Sequence, residues 1–180
     1  TAADLGISRE VKLVRNGIDF DHFYSEVSPE LKKFSYASSL KVLTSDNTDC
    51  KRGYLIPRVV ENCGLEFKAT PRLPFLCMAG FYKEIDALLV TSKYEACGLP
   101  GLEAAAAGRL VIGTRAGYFD GGYGALCRLP DDEFVVDARN FLEKYKDPSL
   151  YRQDCLRYQQ YVKDHYDWKR TITSWTNILT

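Results

Sequence analysis

Short runs of consecutive apolar residues divide this chain more sharply than any other feature. Residues 87–91 (Ala-Leu-Leu-Val-Thr) and 110–114 (Leu-Val-Ile-Gly-Thr) are too short for helices and are bounded by turn-forming residues. They read as strands buried on both faces. Residues 11–14, 41–45 and 65–69 read as further strands, and 125–129 as a last strand at an edge. Helices are expected between them. Ser28 followed by Pro29 and Glu30 marks a helix start, with the serine as cap and the proline in the first turn. Residues 54–63 form a helix closed by Gly64. Residues 73–83 form another in spite of Pro74 and Gly80, and a third opens at Pro100. Asn16-Gly17 is a turn signal. Residues 4–6 read as the end of a helix belonging to something upstream. The tail is helical. One helix starts at Asp147-Pro148, and the next, 168–179, carries Trp168, Ile172, Trp175 and Leu179 on one face.

Strands alternating with helices predict an α/β fold, a Rossmann-like parallel sheet with helices on both faces. Residues 1–180 form a single domain on this reading. The apolar stripe of 168–179 has two open explanations: it packs on its own domain, or on a second domain outside this chain. In such sheets ligands bind beyond the carboxyl ends of the strands. The segments 93–98 and 115–123 both leave strands at that edge.

Composition narrows the function classes. With 24 Lys plus Arg against 24 Asp plus Glu, no net field favours nucleic acid or an anionic membrane. No run is long enough to span a bilayer. The opening residues, Thr1-Ala-Ala-Asp-Leu5, carry neither a basic nor an apolar leader region, so no signal peptide is expected. The six cysteines are widely spaced without a C-x-x-C pair, which predicts free thiols and a cytoplasmic protein. His22 and His165 are the only histidines and neither lies near a cysteine in sequence, so no metal site is expected.

The chemistry concentrates in Glu95-Ala-Cys-Gly-Leu-Pro-Gly-Leu-Glu103. It follows the strand 87–91 and precedes an alanine run, so it reads as a glycine loop leading into a short helix. Pro100 suits the first turn, where its missing N–H would have no partner. The N-terminus of that helix offers free N–H groups and about half a positive charge, which suits a phosphate. Two carboxylates so close to a phosphate site are unfavourable unless they bind something else, and sugar hydroxyls are the natural candidates.

Several segments together resemble one family. Asn16-Gly-Ile-Asp19 followed by Phe23 resembles the N-G-[IV]-D-x-x-x-F signature at the domain junction of GT-B glycosyltransferases. Tyr82, Asp86, Ser92, Glu95 and Gly98 fall on the pattern Y-x-x-x-D-x-x-x-x-x-S-x-x-E-x-x-G. Leu102-Glu-Ala-Ala-Ala-Ala-Gly108 with Val111-Ile112 is similar to L-E-A-M-A-x-G-x-P-V-I, and Tyr166-Asp-Trp168 to an F-S-W element before a last helix. The resemblance is to the C-terminal, donor-binding domain of retaining family 4 enzymes. It implies a nucleotide-diphosphate sugar as donor and a hexosyl transfer with retention. It implies no metal or other cofactor, and a role in polysaccharide or glycan biosynthesis. The glycan, lipid or protein acceptor would sit on an N-terminal domain outside this chain. It further implies that Glu95 is the catalytic candidate, beside the donor sugar but not a covalent nucleophile. Glu103 would accept from the ribose hydroxyls, and the backbone at Gly98 and Leu99 would hold the diphosphate. Gly117 and Tyr118 stand where the family has its G-G-x-x-E donor loop, Tyr118 as a lid or merely an exposed aromatic.

The departures concern cations. The family carries Gly-Arg after its first strand and Lys-Gly later, and both side chains bind the diphosphate. Here the segment Leu43-Thr-Ser-Asp46 has neither Gly nor Arg, while Arg52 aligns with the later lysine and Lys51 is its neighbour. Lys51, Lys93 or Arg115 would have to replace the lost charge. The competing expectation is a degenerate, non-catalytic GT-B module used for binding or assembly.

Overall fold

In the computed structural model the apolar runs form the centre of a parallel sheet. The structure describes residues 14–36, 50–61, 63–69 and 73–179. Strand β3 (Ala87–Val90) is buried along its whole length, as is β4 (Leu110–Thr114), which is why neither shows an alternating pattern. They pair in parallel, Ala87 opposite Leu110 and Val90 opposite Gly113. Helix α4 (Leu99–Ala106) makes the crossover between them. On the other side of β3 lie β1 (Lys33–Tyr36) and then β2 (Glu66–Phe67). Strand β5 (Ala125–Cys127) closes the far edge, giving the order β2-β1-β3-β4-β5 with every pairing parallel.

Helices flank this sheet. Helix α1 (Phe20–Phe23) is one turn capped by the Asp19 carboxylate. A 3-10 turn at Gly53–Leu55 runs into α2 (Ile56–Val60), and α3 (Phe75–Lys83) follows β2. Helices α5 (Asp131–Lys144), α6 (Pro148–Tyr166) and α7 (Trp168–Leu179) complete the chain. Ala104, Ala105, Ala106 and Ala107 are wholly buried. Their small side chains let α4 lie close to the sheet and to α6, where Gln159 donates from one Nε2 to both Ala106 O and Ser25 O. Asp147 caps α6 as the sequence predicts, accepting from Ser149 N and Leu150 N.

Three expectations need correction. No helix starts at Ser28. Its hydroxyl accepts from Arg109 instead of capping, and the backbone N–H groups of Lys32 and Lys33 are both held by Asp86 Oδ2, at 3.0 and 2.9 Å. That fixes the entry to β1, whose Phe34, Ser35 and Tyr36 are buried in succession. The helix expected over 54–63 ends at Val60, and Gly64, at φ +70°, turns the chain into β2. Helix α5 has no counterpart in the sequence reading. Of the expected strand 11–14 only Val14 is described, and it lies outside any strand; the expected strand 41–45 and the helix end at 4–6 lie outside the described residues. All six cysteines are free.

Candidate functional site

Two loops leave the carboxyl ends of β3 and β4 and meet over the N-terminus of α4. Gly98 turns the first of them in the left-handed region (φ 73°, ψ 38°), which places Leu99 at the helix start with Pro100 in the first turn. The second loop is locked against it. Gly117 has φ +61°, and a Cβ there would lie 2.8 Å from the Cys97 carbonyl carbon. Tyr118 N–H donates to Cys97 O at 3.1 Å. Glycine at 117 therefore permits the close approach of the two loop backbones.

Glu95 sits on the first loop, mostly covered. Its Oε1 accepts from Ser92 Oγ at 2.6 Å and from the Lys51 ammonium. Lys51 is thus brought to the loop carboxylate, and Ser92 joins the site three residues before Glu95. Lys93 anchors the same loop through its N–H to Cys50 O at 2.7 Å, and Arg115 is exposed at the start of the second loop.

Glu103 faces a different environment. It is 7% exposed, and Oε2 accepts from Tyr82 Oη at 2.8 Å. Burial raises its pKa above the ordinary carboxylate value, against the opposing pull of the Tyr82 hydrogen bond and of nearby His22. It lines a cavity of about 200 Å³ walled by Phe23, Phe75, Leu99 and Trp168, with Asn16 and Asp19 as its other polar side chains. Leu99 and Glu103 share one face of α4 one turn apart, so the cavity opens beside the helix N-terminus.

The Asn16–Asp19 segment closes the site from the far side. Ile18 N donates to Tyr166 O at 2.8 Å and Trp168 N to Ile18 O at 2.9 Å, which fixes it to the α6–α7 junction. Asn16 N donates to Tyr118 Oη at 3.0 Å and Asn16 Nδ2 to Cys97 Sγ at 3.3 Å. Tyr118 stacks on Tyr166 with ring centres 5.6 Å apart. It is a fastened strut between segments and not a free lid.

Arg52, expected at the diphosphate, lies beneath these loops and is committed to the fold. Its side chain is fully buried. Nε donates to Thr91 O at 2.6 Å, and Nη1 to Leu129 O and, at 3.1 Å, to Asp131. Nη2 reaches Thr114 Oγ1 at 3.4 Å. The guanidinium also lies over the Phe134 ring. It ties the ends of β3 and β4 to α5 and has little left for a ligand. The strand beside β3 is described as far as Tyr36, and the Ala37-Ser38-Ser39 that follows it in sequence again lacks Gly-Arg.

Tyr82, Ser92 and Asn16 all contact the site, yet only their motif positions, not their roles, were visible in sequence.

No family model and no curated protein sequence matches this chain. Solved structures do. The C-terminal domain of a glycosyl transferase group 1 family protein from Francisella tularensis aligns at 17% identity and TM-score 0.63, covering 84% of this chain and all of that one. HepE from Anabaena, solved with UDP and glucose, aligns at 14% identity and TM-score 0.70, covering 99% of this chain and 60% of that one. Sucrose-phosphate synthase from Thermosynechococcus elongatus aligns at 16% and 0.68, covering 93% and 51%. At such identities the likeness shows the fold: a Rossmann-like domain of the kind that forms the C-terminal half of GT-B glycosyltransferases. The chain spans about half the length of the synthase.

Proposed function

We propose that this domain binds a nucleotide-diphosphate sugar and presents its glycosyl group to an acceptor held by an N-terminal domain, with retention of configuration. The observation that carries the reading is that two carboxylates flank one helix N-terminus, Glu95 on the loop before α4 and Glu103 in its second turn at the wall of the cavity. The diphosphate would rest on the N–H groups at Gly98 and Leu99, where the helix dipole stabilises the leaving nucleoside diphosphate without a metal. Glu103 would accept from ribose hydroxyls through charge-assisted hydrogen bonds. Glu95 would do the same for the donor sugar, and its charge would favour an oxocarbenium-like transition state. Lys51, which already compensates Glu95, would be a candidate cation for the phosphates.

HepE was solved with UDP and glucose, which supports a hexosyl donor here. The exposed face of α7, with Trp168, Ile172, Trp175 and Leu179, would pack on the N-terminal domain. A glycan, lipid or protein acceptor and a place in glycan biosynthesis follow from the same reading. Among the described residues no helix is long and apolar enough to cross a membrane, and use of nucleotide sugars fits a cytoplasmic setting.

One observation favours a second reading, a non-catalytic GT-B module. Arg52, aligned with a phosphate-binding lysine, is consumed by the fold. A lost charge-assisted bond to phosphate costs about 1.5–3 kcal/mol, a ten- to hundred-fold loss in affinity. Calorimetric titration with UDP, GDP, ADP and TDP separates the two. The donor reading expects one nucleotide to bind and Glu103→Ala to abolish binding; no binding at millimolar concentration favours the module.

A further inference from the structure

The Tyr82–Glu103 contact joins two buried groups from different helices at the wall of the cavity of about 200 Å³. Tyr82 is 1% exposed and comes from α3; Glu103 comes from α4. Tyr82 lies four residues before Asp86, whose carboxylate and carbonyl anchor the Lys32–Lys33 backbone and Tyr151 Oη. The end of α3 is therefore pinned, and the phenol has little freedom to follow a moving partner.

We infer that Tyr82 is the positioning residue of Glu103: by donating to Oε2 it fixes the carboxylate plane and leaves Oε1 facing the cavity as an acceptor for a ribose hydroxyl. The inference rests on the donor-binding reading and adds to it the residue that orients the Glu103 carboxylate. Toward the ionised carboxylate the phenol is the donor. Burial and the adjacent carboxylate push its pKa well above the ordinary value, so it stays protonated. A fixed donor to the ionised form favours that form, against the burial that opposes it. The other titratable groups facing the carboxylate are His22 of α1 and Asp19 just before it. His22 Nε2 is buried and has no hydrogen-bond partner among the described residues. A sugar without hydroxyls would leave Oε1 desolvated and unpaired, a state that sites built for a hydroxyl penalise heavily.

The test is calorimetric titration of the wild-type chain, Tyr82→Phe and Glu103→Gln. Each receives UDP, GDP and ADP and their 2′,3′-dideoxy forms, between pH 5 and 8, with Tm recorded for every variant. The wild type prefers the ribo form of its nucleotide. Tyr82→Phe weakens the ribo form about tenfold and leaves the dideoxy form unchanged, so the preference shrinks. Without the tyrosine donor, the pH below which binding is lost moves upward. Equal weakening of both forms would show a merely structural role and overturn the inference, as would unchanged binding and pH profile in Tyr82→Phe. If Glu103→Gln binds like the wild type, or the wild type binds none of the three, the donor reading itself fails and takes the inference with it.

Discussion

At the residue scale the account turns on how differently two glutamates in one motif are held. Glu95 is neutralised by Lys51, whereas Glu103 is buried with only neutral Tyr82 bonded to it. A carboxyl with a raised folded pKa favours folding most when protonated, and that contribution is lost as pH rises through the folded pKa. At neutral pH the ionised Glu103 therefore opposes stability. Glu103→Gln should raise Tm at pH 7, on the order of a degree or two, while reducing nucleotide binding at least tenfold. The gain in Tm should vanish in acid, where the wild-type carboxyl is protonated. Thermal melts at pH 7 and pH 4 check this; a drop in Tm at pH 7 would contradict it. The two carboxylates were legible in sequence because the motif places them. Their environments were not, since burial depends on Tyr82 and Phe75 arriving from α3.

At the element scale the loops and their struts decide the site. Arg52→Met takes the donor from the Thr91 and Leu129 carbonyls and leaves Asp131 with Tyr54 Oη alone, so it should cost roughly 2–4 kcal/mol in urea unfolding. Lys51→Ala should change stability by less than about 1 kcal/mol yet weaken nucleotide binding. That contrast separates the strut from the ligand; equal stability losses would refute it. Gly117→Ala should destabilise by about 1–3 kcal/mol, because φ +61° and the Cys97 backbone both exclude a side chain. The strands β3, β4 and β5 were readable because apolar runs between turn signals have few alternatives. Strand β1 was not, because Lys32-Lys33-Phe-Ser-Tyr36 gains its strand state from Asp86, far along the chain. Helix α5 did carry a signal, in the acidic first turn Asp131-Asp132-Glu133 and in Phe134, Val135, Ala138 and Leu142 on one face. Arg52 misled for a physical reason: an arginine near a phosphate loop in sequence serves equally well to tie strand ends together when its carbon stem is buried.

At the scale of the whole molecule the sheet delivers two loops to one helix N-terminus. The proposed division of labour makes the donor site local to this domain and the reaction dependent on a second one. The 180-residue chain should then bind nucleotide but transfer no sugar, which a radiolabelled-donor assay checks; robust transfer by the chain alone would contradict it. The central claim is that the α4 N-terminus and its flanking carboxylates form the nucleotide site. The most direct measurement is ¹H–¹⁵N NMR of the labelled chain during titration with each nucleoside diphosphate. The account predicts saturable shifts at the amides of Gly98, Leu99 and Gly101, together with residues lining the Glu103 cavity, and their loss in Glu103→Ala. Saturable shifts confined to another surface, or none with any nucleotide, would contradict it.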